Sequence, residues 1–304
     1  MFTRRQVILG TAALGLGGAG TGGYAVAIEP YRLRVQQYRV QPKNWPTRLK
    51  LRVAAIADLH VCEPWMPLGR VQQIVERTND IGADLIVLLG DFVGSQRVTW
   101  HPVEKALWSR ALGQLRAPLG VHAIMGNHDW WEDVEVQRKM SGTPAVRRAL
   151  EAAGIPVYQN DARRLNKAGI GFWICGLGDQ WAFYRNRNRT EQAATFGYHG
   201  VDDLPGLMAK VSDEAPILMM VHEPDIFHRM PARVALTMAG HTHGGQVQFF
   251  GYAPIVPSRF GRRYVYGHVH EDGRDLIVSG GLGCSGLPIR FGRPPEIVVI
   301  DLEA

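Results

Sequence analysis

Five short, largely apolar runs in this chain end in the same way, and that shared ending constrains the fold more than any other feature. Val53 to Ala57 runs into Asp58-Leu59-His60, Leu85 to Leu89 into Gly90-Asp91, and Val121 to Met125 into Gly126-Asn127-His128-Asp129. Ile217 to Val221 runs into His222-Glu223-Pro224-Asp225, and Val234 to Ala239 into Gly240-His241-Thr242-His243. Such runs, bounded by glycine and polar residues, read as buried strands. Between them lie longer segments of helical period, Leu68 to Ile81 and Val103 to Leu115. Alternating strands and helices make an α/β architecture. In α/β sheets the carboxyl edge of the strands is where sites are built. Here that edge receives carboxylates, an amide and imidazoles.

Asp58-x-His60 and His241-x-His243 place their side chains two residues apart, and in extended backbone these point to the same side. Each piece by itself has an ordinary reading. A DxH is commonly a turn or a helix cap, GNHD a tight turn, and His222 a satisfied core histidine. Together at five strand exits they form a constellation. Imidazole, carboxylate and amide donors without thiolate suit Mn, Fe or Zn, and do not make a structural zinc knot. The three cysteines have no CxxC spacing and cannot all pair with one another, so no disulfide framework is expected. Cys62, two residues after His60, reads as a small packing residue.

The set DxH, GD, GNHD, a later His and GHTH resembles the calcineurin-like metallophosphoesterase superfamily, over about residues 50 to 304. The leader, the "GHTHGGQ" form and the closing "SGGLGCSGLPIRFGRPPEIVVIDL" are most similar to its YkuE/YaeI-like bacterial phosphodiesterase branch. The resemblance implies a four-layer α/β/β/α sandwich of two mixed sheets. It implies two divalent metal ions, one held by Asp58, His60, Asp91 and His243, the other by Asp91, Asn127, His222 and His241, with Asp91 bridging. His128 would sit beside the scissile phosphate, polarising it or protonating the leaving oxygen, and Asp129 is expected to orient His128. Two ions about 3.5–4 Å apart hold the attacking and leaving oxygens of an in-line displacement and supply hydroxide near neutral pH. Two carboxylates facing four positive charges leave a site attractive to a phosphate anion.

The expected activity is hydrolysis of a phosphodiester, a pyrophosphate or a monoester, on a small molecule or a lipid headgroup. Hydrolysis of a UDP-2,3-diacylglucosamine-like lipid precursor is an alternative, and a non-catalytic metal-binding scaffold is another. The intact ligand set together with His128 favours an enzyme. Gly94 stands where some members carry an acidic residue three positions after the GD aspartate, which removes no expected ligand. Trp130 and Trp131 read as core aromatics or as a substrate wall. Residues 281–288 read as a connector or a loop near the site, and 184–200 as an exposed loop or lid.

The N-terminus carries a compartment signal. Thr3-Arg4-Arg5-Gln6-Val7-Ile8-Leu9 is a twin-arginine pattern, followed by an uncharged Gly- and Ala-rich stretch that ends at Ala25-Val26-Ala27, a small-x-small cleavage pattern. Residues 1–27 are expected to be a Tat-type signal peptide or, uncleaved, an N-terminal membrane anchor. The twin-arginine export machinery is then a partner, and the location is periplasmic or extracytoplasmic. Residues 28–49 are expected to be a linker and entering strand, and 50–304 the catalytic domain. The net charge of +6 suits anionic partners. No Lys/Arg run interleaved with aromatics flanks the motifs, so no specific nucleic-acid partner is expected, and the chain is expected to act as a monomer.

Overall fold

The computed structural model describes residues 20–94, 96–184 and 197–303; the twin-arginine motif and residues 185–196 of the polar loop lie outside the described residues. Each of the five apolar runs is a strand. The first sheet contains β1 (Arg34–Val40), β2 (Leu51–Ile56), β3 (Leu85–Leu88) and β4 (Val121–Ala123). The second is built from β5 (Asp161–Lys167), β6 (Ile170–Gly176), β7 (Ile217–Met220), β8 (Val234–Ala239), β9 (Gly267–Glu271) and β10 (Arg274–Val278). The last strand, β11 (Glu296–Leu302), returns to the first sheet.

Both sheets are mixed. The first has the order β1-β11-β2-β3-β4, in which β2, β3 and β4 run parallel and β11 opposes β2. The second has the order β9-β10-β8-β7-β6-β5, parallel through its centre with antiparallel strands at both edges.

Strand periodicity explains how the sheets stack. Successive side chains alternate faces, so a strand that is apolar at every position must be covered on both sides. Val53, Ala55, Leu85 and Val87 meet Phe172, Ile174, Leu218, Met220 and Met238 in a core between the sheets. The intervening Ala54, Ile56, Ile86 and Leu88 point outward. There they meet α1 (Leu68–Asn79), α2 (Lys105–Leu112) and a helix further on, Ala145–Ala152. In α1 the buried residues Val71, Ile74, Val75 and Thr78 form one face at helical spacing. On the far side, Trp173, Cys175, Ile217 and Met219 pack under Leu204, Leu207, Ile226 and Phe227. The result is a four-layer α/β/β/α sandwich.

Residues 20–27 are helical and lie against the sandwich: the Ala25 carbonyl accepts the Arg290 N–H at 2.9 Å, and the Tyr24 ring meets Phe291 edge-on. Among the described residues no helix is long and apolar enough to cross a membrane.

Candidate metal centre

The carboxyl ends of β2, β3 and β4 in one sheet and of β7 and β8 in the other open onto a common point. Two clusters of ligand atoms form there, Asp58, His60 and His243 in one and Asp91, His222 and His241 in the other, all six buried. His60 Nε2 lies 3.0 Å from His243 Nε2, and His243 Nε2 lies 3.8 Å from Asp58 Oδ1. His222 Nε2 is 3.2 Å and His60 Nε2 3.6 Å from the same oxygen, Asp91 Oδ2, so Asp91 stands between the clusters. Asn127 joins the second cluster, its Oδ1 2.9 Å from His241 Nδ1. The structure thus gathers all seven residues expected as ligands.

The hydrogen bonds around the rings show where their lone pairs point. A backbone carbonyl only accepts, so the ring nitrogen facing it carries the proton. His60 Nδ1 faces Val93 O at 3.2 Å, His222 Nδ1 faces Leu89 O at 2.7 Å, and His241 Nε2 faces Pro257 O at 3.0 Å. Burial lowers His60 and takes His241 down to about 3, so both rings are neutral and their other nitrogens are bare acceptors. His241 Nδ1 therefore aims a lone pair at an amide oxygen, an arrangement that repels unless a cation lies between them. Asp58 Oδ2 is buried without a hydrogen-bond partner among the described residues, and burial pushes this carboxyl up to about 7. Burial also acts on Asp91, but His222 and then His128 hold it well below the usual carboxylate range. Orphaned acceptors, opposed lone pairs and an N/O donor set fit two divalent cations. Gly126 shows how tight the cradle is: a Cβ there would lie 2.4 Å from Asp91 Oδ1 and 2.5 Å from His222 Cε1.

The strands do not themselves supply the ligand geometry. Asp58, His60, Asp91, His241 and His243 have φ of 55°, 46°, 56°, 70° and 52°, in the left-handed region, whereas extended backbone was expected for the DxH and HxH pairs. The strands stop at Ile56 and Ala239, and the left-handed turns that follow bring the side chains inward. Thr242 does point away from the two clusters, its hydroxyl donating to Val265 O at 2.8 Å.

Asp129 also departs from expectation. It makes no hydrogen bond to the His128 ring, whose buried Nδ1 has no partner among the described residues. Its carboxylate instead accepts the backbone N–H groups of Asp91, Phe92, Val93 and Gly126 at 2.9–3.3 Å. It staples the Asp91 turn to the start of a short helix, Asn127–Trp131, and so positions Asp91 and Asn127 without touching the His128 imidazole. His128 is partly exposed, its N–H donates to Asp91 Oδ1 at 2.9 Å, and burial lowers its ring to about 4.

Sequence reasoning did not single out several neighbours. Arg290 is fully buried, gives its guanidinium to the carbonyls of Gly280, Gly283 and Arg293, and reaches His243 Nδ1 at 3.3 Å. The available signal was a lone arginine between Ile289 and Phe291 in a glycine-rich stretch. That stretch adjoins the site: Gly283 N–H donates to Asp58 O at 2.6 Å. Asp179 and Glu223 are a buried acid pair behind His222, and burial followed by Glu223 raises Asp179 well above the carboxylate range. Trp130 is a core residue packed against Phe183. Trp131 stacks on Tyr184 and Tyr198 and turns its edge to His128, forming a wall of the site.

A sandwich of two mixed sheets with paired His/Asp clusters at its strand ends defines a class, and comparison with known proteins agrees. Residues 51–272 match the calcineurin-like phosphoesterase family, and the chain belongs to it: it is a metal-dependent phosphoric ester hydrolase. It is similar to the uncharacterized metallophosphoesterase YkuE of Bacillus subtilis, 29% identical over 310 aligned positions covering the whole of this chain and 98% of that one. YkoQ of the same organism is 28% identical over 262 positions, covering 84% and 85% of the two chains. Among solved structures, a dimetal phosphatase from Danio rerio aligns with a TM-score of 0.39 at 14% identity, over 76% of this chain and 88% of that chain.

Proposed function

We propose that the protein is a dinuclear phosphodiesterase acting outside the cytoplasm. The observation that carries the chemistry is Asp91 Oδ2, approached by His60 from one ligand cluster and by His222 from the other. Asp58, His60, Asp91 and His243 would hold one cation, and Asp91, Asn127, His222 and His241 the other, with Mn, Fe or Zn suiting this donor set. When bound, the pair supplies Lewis acidity at phosphorus and an activated water.

The chain's own residues do the rest. His128, fixed through its backbone to Asp91 and kept neutral by burial, offers an imidazole N–H to a phosphoryl oxygen. A ring with so low a pKa acts better as a hydrogen-bond donor than as a proton source at neutral pH. Asp129 holds the turn that presents Asp91, and Trp131 walls the approach to His128. Export rests on Arg4-Arg5 and the apolar stretch behind them.

The test is the protein loaded in turn with Mn, Fe and Zn and assayed on bis-p-nitrophenyl phosphate, monoesters, cyclic nucleotides, pyrophosphates and lipid phosphodiesters. Preferred turnover of diesters, lost on chelation, supports the reading. Two bound ions with no turnover on any of these would leave a binding scaffold instead. Fractionating cells that carry Arg4→Lys/Arg5→Lys checks the compartment, since export by the twin-arginine route predicts retention in the cytoplasm.

A further inference from the structure

The loop that follows the GHTHGGQ turn carries apolar side chains that the fold does not use. Phe249 and Tyr252 exchange both backbone hydrogen bonds, closing a tight hairpin with Phe250 and Gly251 at its tip. Both tip residues have positive φ, 47° and 84°. Such a tip normally takes Asn-Gly or Gly-Gly, because a side chain at positive φ is strained at a cost in free energy. Phe250 accepts that cost and recovers nothing by burial, since its ring is wholly exposed. Ile255 is 79% exposed, and Phe249, Tyr252 and Leu287 are exposed beside it. Gln246 Nε2 joins the loop to Leu287 O at 3.1 Å.

Charge and chain path indicate what covers this face. Residues 246–263 contain three arginines and no acidic residue. Arg263 pairs with Glu271, while the exposed Arg262 lies over the Tyr252 ring at 4.9 Å. Exposed Phe and Tyr rings mixed with arginine match the boundary between hydrocarbon and anionic headgroups. The N-terminal chain leaves from the same place: Tyr24 meets Phe291, and Phe291 packs against Phe249 at 5.1 Å. Residue 20, where the described chain begins, is four residues from Tyr24 and therefore from the hairpin.

We propose that the 247–257 hairpin and Leu287 form a docking surface for an anionic phospholipid bilayer, separate from any hold the N-terminus has on it. Pro257 O accepts His241 Nε2–H, so this surface lies within one loop of the metal centre. A docked molecule keeps that centre close to the headgroup layer.

The test uses the full chain in both arms. The three native cysteines are buried, so a single introduced cysteine takes an environment-sensitive nitrobenzoxadiazole probe selectively. One arm carries it at Ile255→Cys. The other carries it at Glu214→Cys, whose exposed side chain precedes β7 at the end of the sandwich opposite the site. On phosphatidylcholine vesicles containing phosphatidylglycerol, the 255 probe should brighten and be quenched by doxyl-labelled lipid, while the 214 probe does neither. Phe249→Ser/Phe250→Ser should weaken the 255 signal about tenfold or more, as expected for removing two inserted rings. Vesicle binding with both probes still in water would show that the N-terminus alone tethers the chain, and would overturn the proposal. So would shielding of the 255 probe without lipid that rises with protein concentration, which would identify a second copy as the occupant. Neither readout requires turnover, so the result stands apart from the phosphodiesterase reading.

Discussion

At the scale of single residues, the centre depends on which groups are charged and which are bare. His128 touches substrate in the proposed reaction but does not belong to either ligand cluster. His128→Ala should therefore keep its metals by elemental analysis while turnover falls by about two to four orders of magnitude, the usual range for such groups. Unchanged turnover would remove His128 from the mechanism. His222 gives the pH dependence. Burial works against its charged form, yet Asp91 raises it well above the ordinary imidazole range, so a proton occupies the nitrogen a metal needs. Metal binding must expel that proton, and apparent affinity should rise with pH, by about tenfold per unit, until the raised pKa is passed. Calorimetry in buffers of different ionisation enthalpy would register proton release, to which the Asp58 carboxyl, raised to about 7, adds its share. An affinity flat across neutral pH would contradict the assignment.

At the scale of elements, the Asp129 staple connects two strand exits that have no ladder between their turns. Asp129→Ala leaves the buried N–H groups of Asp91, Phe92, Val93 and Gly126 without their acceptor. It should destabilise the fold by on the order of 2 kcal/mol, seen in urea melts, and weaken metal binding although Asp129 is no ligand. Normal metal content and normal stability together would show that the staple is dispensable.

The strand exits were legible in the sequence because an apolar run followed by Asp, Asn or His is a strong local pattern. Leu68–Asn79 was legible by its spacing. The sign of φ at Asp58 and His243 was not, since the same DxH and HxH letters fit an extended strand or a left-handed turn. Arg290 was hidden for a different reason. Its partners are carbonyls and one ring nitrogen spread over the Gly280–Arg293 segment and His243, and no spacing rule encodes such a set.

At the scale of the whole molecule, candidate ligands from one sheet face candidate ligands from the other: Asp58, Asp91 and Asn127 follow strands of the first, His222, His241 and His243 strands of the second. Cations bound here bridge the two halves of the sandwich in the folded state only. Chelation should lower the melting temperature of the entire chain in one transition, and excess metal should restore about 4 kcal/mol at a thousandfold over its dissociation constant. A melting curve indifferent to chelator would mean that the sheets hold together without help.

The five left-handed residues of the centre carry this further. Each occupies a backbone state that glycine enters freely and a side chain does not. Replacing Asp58 or His241 with glycine should give a metal-poor chain that melts higher than the matching alanine variant, by about 1 kcal/mol per position. Selection for robustness and selection for catalysis thus pull these positions in opposite directions. A lineage freed from its substrate would be expected to let glycine into them first, while the apolar strands behind them stayed as they are.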